Sequence, residues 1–134
     1  MELSDAEQII ASSRAKALEM GLHMCIAVMD SHAYLVAFVR TGDTTLDSIQ
    51  IAIDKAYTSA LIRMDTRTLG EQCQPGKALY GFQNNLGGRL VIFPGGIPIF
   101  KSKNLLGSIG VSGGEVDEDE TVAKAGVESF LKSD

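Results

Sequence analysis

The stretch LVIFPGGIPIFKSKNLLGSIGVSGG, from Leu90 to Gly114, decides the fold of this chain. It contains three short apolar runs, separated by the sequences Pro94-Gly95-Gly96 and Lys101-Ser102-Lys103-Asn104. Proline presets φ and glycine permits positive φ, so sequences of this kind are typical of turns. The stretch therefore predicts three consecutive strands joined by tight turns, at Leu90–Phe93, Ile97–Phe100 and Leu105–Val111.

The rest of the chain predicts two more strands and three long helices. Leu22–Met29 is almost entirely apolar, as expected of a central strand covered on both faces. A short turn leads to the return strand Tyr34–Arg40, which must be antiparallel because the connection is so short. Apolar residues at helical spacing predict helices at Asp5–Met20, Leu46–Met64 and Asp117–Leu131, with a short helix at Thr66–Cys73 and an irregular segment at Gln74–Gly88. Strands joined by hairpins indicate an α+β fold with an antiparallel sheet.

Composition indicates one soluble domain spanning residues 1–134. The chain is 45% hydrophobic, which is enough for a core, and its formal net charge is −5. Nucleic acids and anionic membrane surfaces are not expected as partners, because binding to them needs clustered Lys and Arg. No apolar run reaches the roughly 20 residues that span a bilayer, and the first residues lack a secretory signal pattern. Cys25 and Cys73 form no CxxC pair, which favours reduced thiols and a cytoplasmic protein.

The two histidines offer limited chemistry. His23 begins the predicted central strand and is a candidate axial ligand for haem, or a metal ligand, since imidazole suits both. The alternative is a polar residue near the surface at the start of a strand. His32 lies in the following turn and is expected to be a solvated turn residue. Because no HExxH or paired Cys/His spacing occurs, we expect no dedicated zinc site.

Nucleophilic catalysis is not indicated either. Cys25 lies among apolar residues, and a buried thiol is inert unless a base or positive charge lies beside it. Ser112 lies in Gly110-Val111-Ser112-Gly113-Gly114, which lacks the GxSxG spacing. The sequence therefore predicts no Ser-His or Cys-His triad.

The glycine-rich end of the opening stretch precedes a strongly acidic helix start. The carboxylates of Asp117, Glu118 and Asp119 meet the positive end of that helix, so a bound phosphate would be repelled. Two interpretations remain for these three residues. They cap the helix and line a solvated face, or they form a weak site for a divalent cation or iron.

Lys55 and Arg40 are isolated cations near apolar elements. Either residue could contact a ligand carboxylate, and the alternative is that Lys55 pairs on the surface near Asp54. The spacing of the sequence does not choose between these interpretations.

Several motifs together resemble one protein family. Val28-Met29-Asp30 and the strand Tyr34–Arg40 look like its VVD-x-x-G-x-L-V-A-x-x-R hairpin. Its other motifs are matched by Lys55-Ala56-Tyr57-Thr58-Ser59-Ala60, Phe93-Pro94-Gly95-Gly96-Ile97-Pro98-Ile99, Leu106–Gly114 and Asp117-Glu118-Asp119. This set resembles the GlcG/HbpS family of haem-binding-protein-like domains, which includes the C-terminal domain of PduO-type cobalamin adenosyltransferases. One departure is Ala33, where the family's hairpin carries glycine.

The resemblance implies a profilin-like α/β/α sandwich with a five-stranded antiparallel sheet of order 2-1-5-4-3. It also implies homo-oligomers and, in some members, binding of haem or iron or a corrinoid-linked redox role. Members resembling this chain are associated with diol and glycerol dehydratase operons. The implied partners are therefore a second copy of the chain, a small-molecule ligand and a dehydratase or cobalamin-pathway protein. The implied location is the cytoplasm, with association with a microcompartment as a further expectation.

Our first functional hypothesis is a non-enzymatic ligand-binding domain. The ligand would lie where two glycine loops meet the second long helix, and Lys55 or Arg40 would bind its carboxylate or propionate. The loop residues expected to contact it are Pro94, Gly95, Gly96, Ser112, Gly113 and Gly114. Two alternatives stay open: an enzyme for a small hydroxy acid or aldehyde that uses Lys55 as a Schiff-base lysine, and a purely structural assembly partner.

Overall fold

The computed structural model describes residues 1–133, which form four α-helices, four β-strands and two short 3₁₀ turns. The elements are α1 (Leu3–Glu19), β1 (Cys25–Asp30), β2 (Leu35–Arg40), α2 (Leu46–Ile62), α3 (Thr66–Gln72), β3 (Gly96–Lys101), β4 (Asn104–Ser112) and α4 (Val116–Lys132), with the 3₁₀ turns at Phe82–Asn84 and Leu86–Gly88. Each of the predicted long helices is present within a few residues of its expected bounds. The chain therefore has the expected order of elements, with one exception among the strands.

The sheet has four antiparallel strands in the order β2-β1-β4-β3. The prediction of an α+β fold with an antiparallel sheet is confirmed. The prediction of five strands in the order 2-1-5-4-3 is wrong, because the first run of the opening stretch forms no strand. Removing that strand from the predicted order leaves the observed one.

The run Leu90–Phe93 forms no strand and packs against helices. The hydroxyl of Thr58, on α2, accepts a hydrogen bond from the Val91 backbone nitrogen at 2.9 Å. On α3, a Cβ added at Gly70 would lie only 1.9 Å from the carbonyl oxygen of Ile92. Leu90 and Val91 are buried. Short apolar runs are compatible with either environment, and here the helices satisfy the backbone.

The sheet separates two apolar layers. On one face, Met24, which directly precedes β1, and Ile26 and Val28 of β1 pack with residues of α1 and α4. On the other face, Cys25, Ala27 and Met29 pack against α2. Alternation along β1 was the sequence expectation, and both faces are covered as predicted. The result is a sheet between helices on each side.

Small residues bring α2 close to the sheet. Ala52 and Ala56 are fully buried. A Cβ added at Gly110 of β4 would lie 2.1 Å from the Ala52 carbonyl oxygen and 2.4 Å from the Ala56 nitrogen. The close contact between this helix and β4 fixes where Lys55, on the same helix, meets the end of the sheet.

The β1–β2 hairpin turns without the glycine that the family motif carries. Ala33 adopts φ +63°, a left-handed conformation that costs a non-glycine residue energy. The Asp30 carboxylate stabilises the turn by accepting hydrogen bonds from the backbone nitrogens of His32 at 2.8 Å and Tyr34 at 3.1 Å.

Within residues 1–133, no helix combines the length and the apolar composition that a membrane crossing requires.

Candidate functional site

A cavity of about 310 Å³ lies between α1 and the sheet, near the start of β1 and the end of β2. Its apolar wall consists of Ala17, Leu18, Leu22, Ile26 and Val39, and its polar lining consists of Arg14, His23, Arg40, Thr41 and Gly42. On α1, Arg14, Ala17 and Leu18 share a face because residues three and four apart are helical neighbours. The cavity thus combines an apolar surface with two guanidinium groups and one imidazole.

Hydrogen bonds past the end of the strand ladder hold His23 against this cavity. The Thr41 hydroxyl accepts from the Met24 backbone nitrogen at 2.8 Å, and the Thr41 nitrogen donates to the Met24 carbonyl at 3.0 Å. These bonds place the residue before Met24 beside the residue after Thr41. His23 and Gly42 are therefore neighbours across the hairpin.

Gly42 forms a cradle for the imidazole. A Cβ added there would lie 2.4 Å from His23 Cγ and 2.7 Å from Nδ1, and the residue has φ +59°. Both the conformation and the space therefore require glycine. The imidazole is exposed, so a ligand can reach it.

Gly113 supports His23 from the other side. A Cβ at Gly113 would lie 2.8 Å from the His23 carbonyl oxygen. A second, more open cavity of about 280 Å³ borders His23, Gly113, Asp43 and Ser48. His23 therefore stands between an apolar, cationic cavity and a polar one.

The two arginines of the first cavity have few partners. Arg40 donates from Nε to the Thr44 carbonyl at 2.8 Å, which orients its guanidinium. Within residues 1–133, neither Arg14 nor Arg40 takes part in an ion pair with a carboxylate. Arginine always carries its charge and offers five donors, so both groups can still bind an anion.

Lys55 lies elsewhere, at the opposite side of the sheet and completely buried. Its Nζ donates to the Val111 carbonyl at 2.8 Å and to Asp119 Oδ2 at 2.9 Å, and it lies 5.2 Å from the centroid of the Phe93 ring. Burial lowers the pKa of Lys55 and raises that of Asp119, while the attraction between the two opposes both shifts. Protein groups therefore surround the amine in this conformation.

The glycine loops predicted to bind a ligand surround this lysine. A Cβ at Gly95 would lie 2.6 Å from Lys55 Nζ, and one at Gly96 would lie 2.5 Å from the Lys55 carbonyl oxygen. The Gly114 nitrogen donates to Asp119 Oδ1 at 2.9 Å. Pro94 is half-buried and Ser112 is buried beside them, whereas Gly113 borders the polar cavity and Arg40 the apolar one. Ligand binding at Lys55 and these loops stays a prediction, and protein atoms occupy the space between them.

The acidic residues at the start of α4 each have a protein partner. Asp119 binds Lys55, Glu118 Oε1 accepts from the Glu115 nitrogen at 2.8 Å, and Asp117 pairs with Arg67. Among the described residues, no three His, Cys, Asp or Glu side chains are grouped so as to hold a metal ion. The contacts favour helix capping and ion pairing, and metal binding here stays a prediction.

Sequence reasoning named His23 and Arg40 but missed Arg14 and Gly42. The signal for Arg14 was present, since it shares a helical face with Ala17 and Leu18 at spacings of three and four. Gly42 gave no comparable signal. Its role depends on contact with a side chain nineteen positions earlier, which only the hairpin register reveals.

Comparisons with a family model and with individual proteins indicate the same family. A family model described as "Haem degrading protein HbpS-like" matches residues 1–128. A 15.0 kDa protein in the dhaT-dhaS intergenic region of Citrobacter freundii is 34% identical over 96% of this chain and 90% of its own length. Protein GlcG of Escherichia coli is 30% identical over 80% of this chain and 77% of its length. Corrinoid adenosyltransferase PduO of Salmonella typhimurium is 29% identical over 95% of this chain, which spans only 38% of that relative.

Solved structures agree with the fold. Klebsiella pneumoniae protein ORFY has a TM-score of 0.95 and 29% identity, covering 98% of this chain and 90% of its own. A structure of a PduOC:haem complex has a TM-score of 0.92 and 29% identity, covering 96% and 94%. A Streptomyces reticuli HbpS variant, at 24% identity and a TM-score of 0.86, covers 96% and 86% and shares the fold.

Proposed function

This chain belongs to the HbpS-like family, and from that premise we propose that it is a haem-binding domain. The haem would lie in the cavity between α1 and the ends of β1 and β2, with His23 as an axial ligand. The observation that carries this proposal is the composition of the cavity wall. One exposed imidazole, an apolar surface and two arginines that form no ion pair with the carboxylates of residues 1–133 line a single space.

Each of these features fits a part of haem. A neutral imidazole is a usual axial ligand of haem iron. The side chains of Leu18, Leu22 and Val39 are at least partly exposed and offer an apolar surface to the macrocycle. Arg40 suits a propionate, because a guanidinium matches the geometry of a carboxylate. A cavity of about 310 Å³ is at the lower end for small-molecule sites, so one edge of the ring would remain exposed.

The comparisons support haem in this family. The PduOC domain, 29% identical to this chain, has been solved as a haem complex. That complex supports haem as the ligand, and the proposed contacts come from the residues that line the cavity of this chain.

We propose in addition that the domain acts as an accessory to a diol or glycerol dehydratase or a cobalamin pathway, as a homo-oligomer. The similarity to PduO and to the protein from the dhaT-dhaS region supports this context. Adenosyltransferase activity is not carried over, because this chain spans 38% of PduO. A cytoplasmic or microcompartment location stays a prediction.

A haem titration of the purified apo-protein tests the proposal. We expect a shifted Soret band that saturates at one haem per site, and we expect His23→Ala to change the spectrum or abolish saturable binding. His32→Ala is the matched control, because His32 is also exposed but lies in the β1–β2 turn and does not line the cavity. No saturable Soret shift in the wild type would contradict haem binding, and a spectrum unchanged by His23→Ala would contradict the axial ligand.

A further inference from the structure

We propose that this cavity selects tetrapyrroles by their two carboxylates, whether or not they contain iron, and that Arg14 and Arg40 each bind one carboxylate. This inference rests on the proposed function for the ligand class and adds the specificity of the site. It assigns a specific contact to Arg14, which the sequence motifs did not single out.

The position of Arg14 supports this role. It projects from α1 one turn before Leu18, and both residues line the cavity. Arg40 reaches the same cavity from the end of β2, on the other side of His23 in the sequence. The two guanidinium groups thus come from two different elements that the fold brings to one space, which apolar side chains also line.

The electrostatics of the two residues also support it. The protein carries a formal net charge of −5, and five described cations pair with carboxylates: Lys16, Lys55, Arg67, Arg89 and Lys124. Among residues 1–133, Arg14 has no ion pair and no side-chain hydrogen bond, and only Nε of Arg40 has a partner. In an acidic protein, two arginines left without carboxylates at one cavity are available for a ligand that supplies them.

The apolar wall defines the rest of the ligand. Leu22 and Val39 are only partly buried at this wall, whereas Ile26 is fully buried. A ligand with a large apolar body between its anionic groups would cover this partly exposed surface, and a small hydrophilic dianion would not. A dicarboxylic tetrapyrrole meets both requirements, and neither requirement involves the metal. His23 then adds iron ligation to a site that already holds the macrocycle.

Binding of metal-free protoporphyrin IX, followed by its fluorescence, tests the inference without iron. We expect saturable binding to the wild type and about tenfold weaker binding to Arg14→Gln, as for loss of a partly exposed charge-assisted hydrogen bond. The matched control is Arg63→Gln, because Arg63 is also exposed but stacks on Phe100, away from the cavity lining. Circular dichroism of the three proteins checks that each is folded.

The dimethyl ester of protoporphyrin IX separates the carboxylates from the ring. We expect it to bind more weakly than the diacid and to be insensitive to Arg14→Gln. Equal binding of ester and diacid, or equal affinity of wild type and Arg14→Gln for the diacid, would overturn the inference. Displacement of the porphyrin by dodecanoate at comparable concentration would also overturn it, because one carboxylate would then suffice.

The two proposals can fail separately. If His23→Ala leaves the haem spectrum unchanged while Arg14→Gln weakens metal-free porphyrin, the axial ligand is wrong and the carboxylate selection stands. If haem binds through His23 while Arg14→Gln has no effect on either tetrapyrrole, the axial ligand stands and the carboxylate selection is wrong.

Discussion

The ammonium of Lys55 lies 2.9 Å from the carboxylate of Asp119, and their side chains are 0% and 3% exposed. This buried ion pair joins α2 to α4 at the end of β4, where Lys55 also binds the Val111 carbonyl. The remaining oxygen of Asp119 accepts from the Gly114 nitrogen. Both charged groups of this pair have hydrogen-bond partners in the protein, so its role in the observed conformation is to fix the helices and the glycine loops.

Replacing one partner of this pair should cost far more than the pair contributes. We expect Lys55→Met to destabilise the fold by about 3–5 kcal/mol, because Asp119 would remain as a buried, uncompensated charge. The double variant Lys55→Met/Asp119→Asn should be more stable than Lys55→Met, since its neutral amide still accepts from Gly114. Urea unfolding of all variants measures the difference. A double variant less stable than Lys55→Met would contradict the ion-pair account.

The cost of Lys55→Met should depend on pH. Burial raises the pKa of Asp119 above its ordinary value of 3.8, and loss of Lys55 removes the main opposing influences. The folded protein then binds more protons than the unfolded chain between 3.8 and the raised pKa, so stability falls as pH rises through that window. We therefore expect a smaller penalty near about pH 4 than near about pH 7. A penalty that is constant or grows on acidification would show that Asp119 does not cause it.

Gly42 should be essential for the haem spectrum. In Gly42→Ala the new Cβ would overlap the His23 ring, which must then shift from its observed position. Gly87→Ala is the matched control, because Gly87 has a similar φ of +67° and nothing within 4 Å of its Cβ position. Both variants should lose about 1 kcal/mol or more of stability to backbone strain, but only Gly42→Ala should alter the Soret band. Identical Soret spectra for the two variants would contradict the proposal that Gly42 holds the His23 ring in place for haem.

Both cysteines should be unreactive in the folded protein. Cys25 and Cys73 are 0% and 2% exposed, and burial raises the pKa of each thiol. A raised pKa reduces the thiolate fraction, and the thiolate is the reacting species. We expect no reaction with a disulfide reagent at mildly alkaline pH until denaturant is added, when both thiols should react. Rapid labelling of native Cys25 would contradict the burial of β1 that the fold requires.

Much of the fold followed from the sequence because local patterns agreed with it. The alternation along β1 correctly assigned Met24, Ile26 and Val28 to one face and Cys25, Ala27 and Met29 to the other. The run Leu90–Phe93 misled because its apolar side chains could be buried by a sheet or by helices. In the structure the Val91 backbone nitrogen donates a hydrogen bond to the Thr58 hydroxyl on α2, so the run lies against helices. The two residues are 33 positions apart in the sequence, and a local pattern does not reveal such a contact.

The site was less predictable, since it depends on contacts between distant elements. His23 and Arg40 were identified separately, as an imidazole at a strand start and an isolated cation, and the hairpin brings them to one cavity. Lys55 was identified as a candidate ligand group because it is an isolated cation near apolar elements. Its partner Asp119 lies 64 positions away, and sequence alone assigned that carboxylate to a cap or a metal site.

A crystal structure of this protein with haem bound is the most direct test of the central claim, that haem occupies the cavity beside His23. The account predicts iron bound to a His23 ring nitrogen, the macrocycle on Leu22 and Val39, and the propionates at Arg14 and Arg40. Iron bound to another residue, or a macrocycle at Lys55 and the glycine loops, would contradict it.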